Sequence, residues 1–186
     1  YLFKILNRLK LYILGVSYGK GLCIHGNIRI SKKSSSKINI GNDVYISSGR
    51  HINPLSRNLE SSIRVEDNGF LEIGNNVGMS SVVLWCHNRI TIGNNVNIGA
   101  NTVILDSDCH SLNYLHRRNI RDDIKFKSDI PVQIGNDVLI GMNCMVLKGV
   151  SIGDRSIIGA GSVVTKSIPQ DSIAAGNPAV VIRKLK

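Results

Sequence analysis

Aliphatic residues recur along this chain in steps of six. Ile40 and Ile46 are followed by Ile52; Ile92 is followed by Ile98 and Ile104. The longest series runs Ile134, Ile140, Val146, Ile152, Ile158, Val164. A period of six matches neither the 3.6 residues of an α-helix turn nor the simple alternation of a strand. It matches a short strand plus a corner, repeated so that one aliphatic side chain always points inward. Three such hexads make an 18-residue coil, and stacked coils place each aliphatic on the one below.

A longer phrase marks the coils: an aliphatic, any residue, Ile, Gly, then Asn or Asp. It appears at residues 38–42, 71–75, 90–94, 132–136 and 150–154. The Gly and Asn are expected to supply the left-handed backbone angles of the corners. Successive Gly positions, 41, 74, 93, 135 and 153, lie 33, 19, 42 and 18 residues apart. The gap of 42 holds one coil and a 24-residue surplus, which predicts a loop protruding over about residues 107–130. The expected fold is therefore all-β, a parallel β-helix of hexapeptide repeats over residues 21–170. A sandwich with many Gly/Asn turns is the alternative, but its strand spacing would not stay locked to six.

Two segments flank the repeats. Within residues 1–20, Leu2, Ile5, Leu6, Leu9, Ile13 and Val16 fall on one helical face, which predicts a short amphipathic N-terminal helix. Residues 171–186 leave the hexad pattern, and Ala175-Gly176-Asn177-Pro178 reads as a turn before a basic, apolar tail.

Charge changes the picture in one respect. The formal charge is +10, yet residues 1–37 hold eight basic side chains and no acid, leaving +2 for the rest. A nucleic-acid-binding domain would spread its basic face over the fold and interleave aromatics. With nine aromatics in all and a basic end, nucleic acid is not expected as a partner. Residues 1–37 point instead to an anionic inner-leaflet surface or to a cap packed on the first coil. Lys4, Arg8 and Lys10 interrupt the first apolar stretch, so neither a signal peptide nor a membrane span is expected. Cys23, Cys86, Cys109 and Cys144 are widely spaced without a C-x-x-C pair, which suits a reducing cytoplasm.

From about residue 73 to 185 the chain resembles the hexapeptide-repeat acyltransferases. The likeness is carried by Gly159-Ala160-Gly161-Ser162-Val163-Val164-Thr165-Lys166 and by Ala175-Gly176-Asn177-Pro178-Ala179. Galactoside and maltose O-acetyltransferases and the O-acetyltransferases of surface polysaccharides form the branch it is most similar to. The resemblance implies a left-handed β-helix, a homotrimer, and acetyl-CoA as co-substrate in the groove between subunits. It implies acetyl transfer to a hydroxyl of a sugar or glycan precursor by direct attack in a ternary complex, with no metal. The family's loop histidine falls on His110 as general base. Asp108, before Asp106, is the carboxylate expected to hold its Nδ1 proton. His116, with Arg117 and Arg118 beside it, is the weaker candidate.

Gly141 and Met142 match the family's backbone donors to the oxyanion, with Gly141 leaving room for a pantetheine arm. The galactoside-type pattern has Trp where this chain has Leu139 and Ser where it has Met142. Ala160, Thr165, Lys166 and Arg183 are the remaining expected contacts to coenzyme A, with Lys166 on a phosphate. Trp85, His87 and Asn88 are expected at the acceptor, Trp85 stacking on a sugar ring; residues 53–58 offer a further wall. Cys109 is a neighbour of His110 and not the nucleophile. N-acetylation of an amino sugar is the near alternative, and a zinc carbonic anhydrase built on His87, His110 and His116 a more distant one.

Overall fold

The structure, a computed structural model, describes residues 2–49, 52, 53, 55 and 59–185. Short strands form three sheets of six, eight and six members, the three faces of a prism around which the chain winds. The result is a left-handed parallel β-helix. Each strand pairs with the strand one coil away, and the pairing is parallel throughout the coils.

The register explains the period of six. On the first face Ile40, Ile73, Ile92, Ile134 and Ile152 stand directly over one another. On the second face the column is Ile46, Met79, Ile98, Ile140, Ile158 and Ala174. On the third it is Ile63, Leu84, Ile104, Val146 and Val164. All are nearly or fully buried, so the core is a set of aliphatic stacks. Each buried Ile, Leu, Val or Met contributes about 1.5–3 kcal/mol by leaving water.

The corners work differently from the expectation. The recurring glycines do not carry the left-handed angle. That role falls to the residue two positions later: Asp43, Asn76, Asn95, Asp137 and Arg155 have φ of 55°, 54°, 57°, 56° and 59°. Glycine is required because the coils approach too closely for a side chain. A Cβ on Gly93 would sit 2.7 Å from the Gly135 carbonyl oxygen, and one on Gly41 2.6 Å from the Gly74 carbonyl carbon. Between them runs an asparagine ladder. Each backbone N–H of Asn42, Asn75, Asn94 and Asn136 donates to the side-chain oxygen of the next coil at 2.7–2.9 Å.

Ile52 does not continue the series of Ile40 and Ile46. The third strand of that coil is Ser62–Val65, and Ile63 takes the inward place. Ser61 N–H donates to Ser48 Oγ at 2.8 Å and Gly49 N–H to the Leu59 carbonyl at 3.1 Å, closing the excursion at its neck. Of the proposed wall at 53–58, Asn53 Nδ2 donates to Ser80 Oγ at 2.5 Å; residues 54 and 56–58 lie outside the described residues.

Helix α1 spans Leu2–Ile13 and closes the end of the solenoid, but not with the face expected. Its inner side is Asn7 and Leu11, both buried, with Val16 following. Asn7 Nδ2 donates to the Gly26 carbonyl at 2.8 Å, and Lys10 Nζ to the Ile28 carbonyl at 3.1 Å. Open backbone groups of the first coil thus select a polar residue over the apolar stripe. Ile5, Leu6, Leu9 and Ile13 are left exposed. At the other end Ser172–Gly176 extends the second sheet in parallel, and Ala179–Lys184 turns back antiparallel on it. The tail is therefore a hairpin on the solenoid.

Candidate active site

The surplus after the Val103–Leu105 strand leaves the solenoid and returns at nearly the same point. Asp108 N–H donates to the Ser128 carbonyl at 3.0 Å, and Ile130 N–H to the Asp106 carbonyl at 2.8 Å. Two short helices fill the loop: α2, Tyr114–Arg117, and α3, Ile120–Lys125. Asn113 and Asn119 cap them, accepting from Leu115 N–H at 3.0 Å and Arg121 N–H at 2.9 Å.

The fold-back brings Asp123 of α3 to His110. His110 Nδ1 lies 2.6 Å from Asp123 Oδ2, and Ser111 N–H donates to Asp123 Oδ1 at 2.7 Å. Both oxygens of a buried carboxylate are thereby committed. The hydrogen bonds from His110 and from the Ser111 backbone hold Asp123 below the usual aspartate range. An ionised partner on Nδ1 makes that nitrogen the protonated one and leaves Nε2 as the free base. The imidazole is 68% exposed, so Nε2 is open to a reactant. Ser111 is held in turn by Arg117 Nη1, which donates to its carbonyl at 2.7 Å, and by His116 Nδ1, 3.0 Å from its hydroxyl. His116 also stacks on Phe126 at 4.3 Å, so it braces the loop.

The expected orienting carboxylate, Asp108, is elsewhere. It faces Lys148, whose Nζ is 3.4 Å from Oδ2, and ties the loop to the following coil. Asp106 is fully buried and binds the corner of the coil below, accepting from His87 N–H at 2.7 Å and Asn88 N–H at 2.8 Å. Sequence neighbours were a poor guide because the partner is 13 residues away. The signal for it was Asn119 ahead of Asp122 and Asp123, a capped helical turn able to present a carboxylate inward.

Asp106 thus joins the loop to the Trp85 corner, which forms a second cluster. Trp85 Nε1 donates to Glu66 Oε1 at 2.9 Å, Arg64 lies 5.3 Å over the indole, and His87 packs on it at 5.1 Å. Burial pulls the Glu66 carboxyl up, but the bonds from Trp85 and Arg64 carry it below its ordinary value. His87 Nδ1 faces Lys127 Nζ at 3.1 Å, and its Nε2 is 4.0 Å from Cys109 Sγ. Burial and the Lys127 ammonium hold His87 below the ordinary imidazole range, so it is neutral at pH 7. Lys127 in turn pairs with Asp129, and Asn88 Nδ2 donates to the Asp129 carbonyl at 3.2 Å. Burial raises the Cys109 thiol, and it pushes Cys86 up to about 12, which makes both poor nucleophiles at neutral pH. His87, His110 and His116 have separate partners, and among the described residues no group of three or more His, Cys, Asp or Glu is disposed to hold a metal.

Gly141, Met142 and Ala160 share one corner column. A Cβ on Gly141 would stand 2.5 Å from Ala160 N, so coil stacking already demands glycine there. The Gly141 N–H is spent on the Ile158 carbonyl at 2.8 Å. Thr165 and Lys166 are exposed beyond the Val163–Val164 strand, and Lys166 meets no carboxylate among the described residues. Arg183 lies exposed on the terminal hairpin opposite Ile173.

Comparison with known proteins agrees with the repeats. Residues 131–166 match the sequence model of the bacterial transferase hexapeptide family (six repeats), and residues 89–106 that of the hexapeptide repeat of succinyl-transferase. Galactoside O-acetyltransferase of Escherichia coli is 44% identical over 96 residues, 52% of this chain and 44% of that protein. The chain spans less than half the length of the curated relatives it matches. A hexapeptide-repeat acetyltransferase of Vibrio cholerae, solved with acetyl coenzyme A, superposes with a TM-score of 0.59 at 27% identity. The match covers 97% of this chain and 78% of that one. A galactoside acetyltransferase in complex with coenzyme A superposes at 0.56 and 25% identity, over 98% of this chain and 72% of that one. In motif and in fold, the chain is similar to the hexapeptide-repeat acetyltransferases.

Proposed function

We propose that this protein transfers the acetyl group of acetyl-CoA to a hydroxyl of a sugar or glycan precursor. The observation that carries the reading is the open Nε2 of His110, backed on Nδ1 by an ionised, buried Asp123. In the reaction His110 Nε2 takes the proton of the acceptor hydroxyl as its oxygen attacks the thioester carbon. Asp123 holds the imidazolium that forms, and His110 then returns the proton to the departing thiolate of coenzyme A. With Gly141 N–H engaged, the Met142 N–H is the backbone donor left at that corner for the developing oxyanion. Lys166, without an ion pair among the described residues, offers its ammonium to a phosphate of the donor. The Trp85 corner, with its indole tied to Glu66 and packed by Arg64 and His87, supplies a wall of aromatic and polar groups for the sugar acceptor.

The loop presents Leu112, Tyr114, Leu115, Ile120 and Ile124 to the outside. Their exposure favours an assembly in which a neighbouring copy covers the loop, as in a homotrimer with its sites between subunits. A screen of sugars with acetyl-CoA, read by mass spectrometry, tests the reading. An ester product is expected, and His110→Ala should lose at least about 10²-fold in rate. An amide product, or an undiminished rate in that variant, overturns it.

A further inference from the structure

The face that α1 turns outward is wrong for a lid exposed to water. Terminal elements of solenoids normally present a polar outer face. Here Asn7 and Leu11 look inward, and at 3.6 residues per turn Ile5, Leu9, Tyr12 and Ile13 fall on the opposite side. Tyr12 and Ile13 are 82% and 71% exposed. Lys4 and Arg8 border this apolar arc on one edge, and Lys10 borders it on the other.

We propose that α1 is an in-plane anchor that docks this end of the molecule on an anionic lipid bilayer. Over its described residues α1 sets Lys4, Arg8 and Lys10 beside an exposed apolar arc, the amphipathic pattern of a helix that lies in the interface plane. Stable surface binding takes two signals, an apolar face and a polybasic region. Both are present in residues 1–37, which carry eight basic side chains and no acid. Among the described residues Lys4, Arg8, Lys20, Lys33 and Lys37 form no ion pair, leaving their charge for lipid phosphates and carboxylates. The same charge argues against a second copy as the occupant, since pairing two such faces would bring two uncompensated basic clusters together. The Asn7 and Lys10 bonds to the first coil hold the helix with its apolar arc outward before any lipid is met. The inference stands apart from the acetyl-transfer reading and survives its failure.

Flotation of the full chain with phosphatidylcholine vesicles, with and without roughly 30% phosphatidylserine, tests it. Binding to the anionic vesicles is expected to exceed binding to neutral ones by at least about tenfold, and to fall at high salt. Leu9→Glu with Ile13→Glu should abolish flotation while the thermal midpoint stays at the wild-type value, because neither side chain supports the coil. Lys4→Ala with Arg8→Ala should weaken binding to anionic vesicles only. Wild-type protein that stays with the soluble fraction, or a double glutamate variant that floats as well as wild type, overturns the proposal. So does sedimentation in which that variant splits a larger assembly while the wild type ignores lipid.

Discussion

Replacing Asp123 by Asn is a sharp test of the chemistry, because it keeps the shape and changes only what His110 is asked to do. Ser111 N–H sits 2.7 Å from Oδ1 and needs an acceptor, so the amide oxygen must stay there. The NH₂ group then points at His110 Nδ1, 2.6 Å from the original Oδ2. Two N–H groups cannot share that space, and the imidazole is driven to the tautomer with its proton on Nε2. That nitrogen can no longer accept one. Keeping the productive tautomer leaves a donor facing a donor, at about 1–3 kcal/mol, or roughly 5- to 160-fold in its population. Loss of the charge that stabilised the imidazolium adds to this. The expected fall in kcat is about 10²–10⁴-fold, the upper end being the size of the equivalent change in serine protease triads. KM for acetyl-CoA should hardly move. The assay is release of free thiol from acetyl-CoA with a sugar acceptor, comparing Asp123→Asn with Asp108→Asn. If Asp123→Asn stays within about threefold of wild type, or if Asp108→Asn is the more damaging, the dyad is wrong.

Two further expectations concern stability and pH. Gly93→Ala forces a methyl to within 2.7 Å of the Gly135 carbonyl, and backbone on both sides cannot yield. The cost should be about 1–3 kcal/mol, seen as a melting midpoint lower by roughly 2–12 °C; an unchanged midpoint removes the close-stacking argument. Because Asp123 is held below its ordinary value, the stability it lends the loop is complete above its unfolded pKa of about 3.9 and is lost only as pH falls through the lower folded value. Protection of the Ser111 amide against hydrogen exchange should therefore be equal at about pH 5 and pH 7 after correction for intrinsic rates; early loss of protection at pH 5 contradicts it.

How far the fold and the site were legible depends on how local each determinant is. The step of six is legible because one inward position per hexad admits only an aliphatic, and Ile134 to Val164 keep the beat without interruption. The loop is legible from the gap between Gly93 and Gly135. The excursion after Ser48 was hidden, because Ile52 happens to fall on the hexad beat although Ile63 fills the core. The role of the repeated glycines was misread, since close approach between coils leaves no mark within one coil. On α1 the apolar stripe marks the outer face, because the inner one is chosen by Asn7 meeting the Gly26 carbonyl. In the loop, the motif singles out His110 but not the carboxylate that bonds it, for the contact with Asp123 is made by a chain folding back and has no fixed spacing.

The neck of the loop has a consequence for how such a protein can change over time. The chain exits at Ser107 and re-enters at Asp129, two residues paired across an antiparallel bridge. Seen from the coils, the whole excursion is a point, and the Ile104 and Ile134 columns run on as though it were absent. Closure entropy grows only with the logarithm of loop length, so lengthening or rewriting the excursion costs the scaffold little. The region between the necks is a cassette. It can be exchanged, drift or grow without re-registering a single coil, while the column of Gly141, Met142 and Ala160 stays in place.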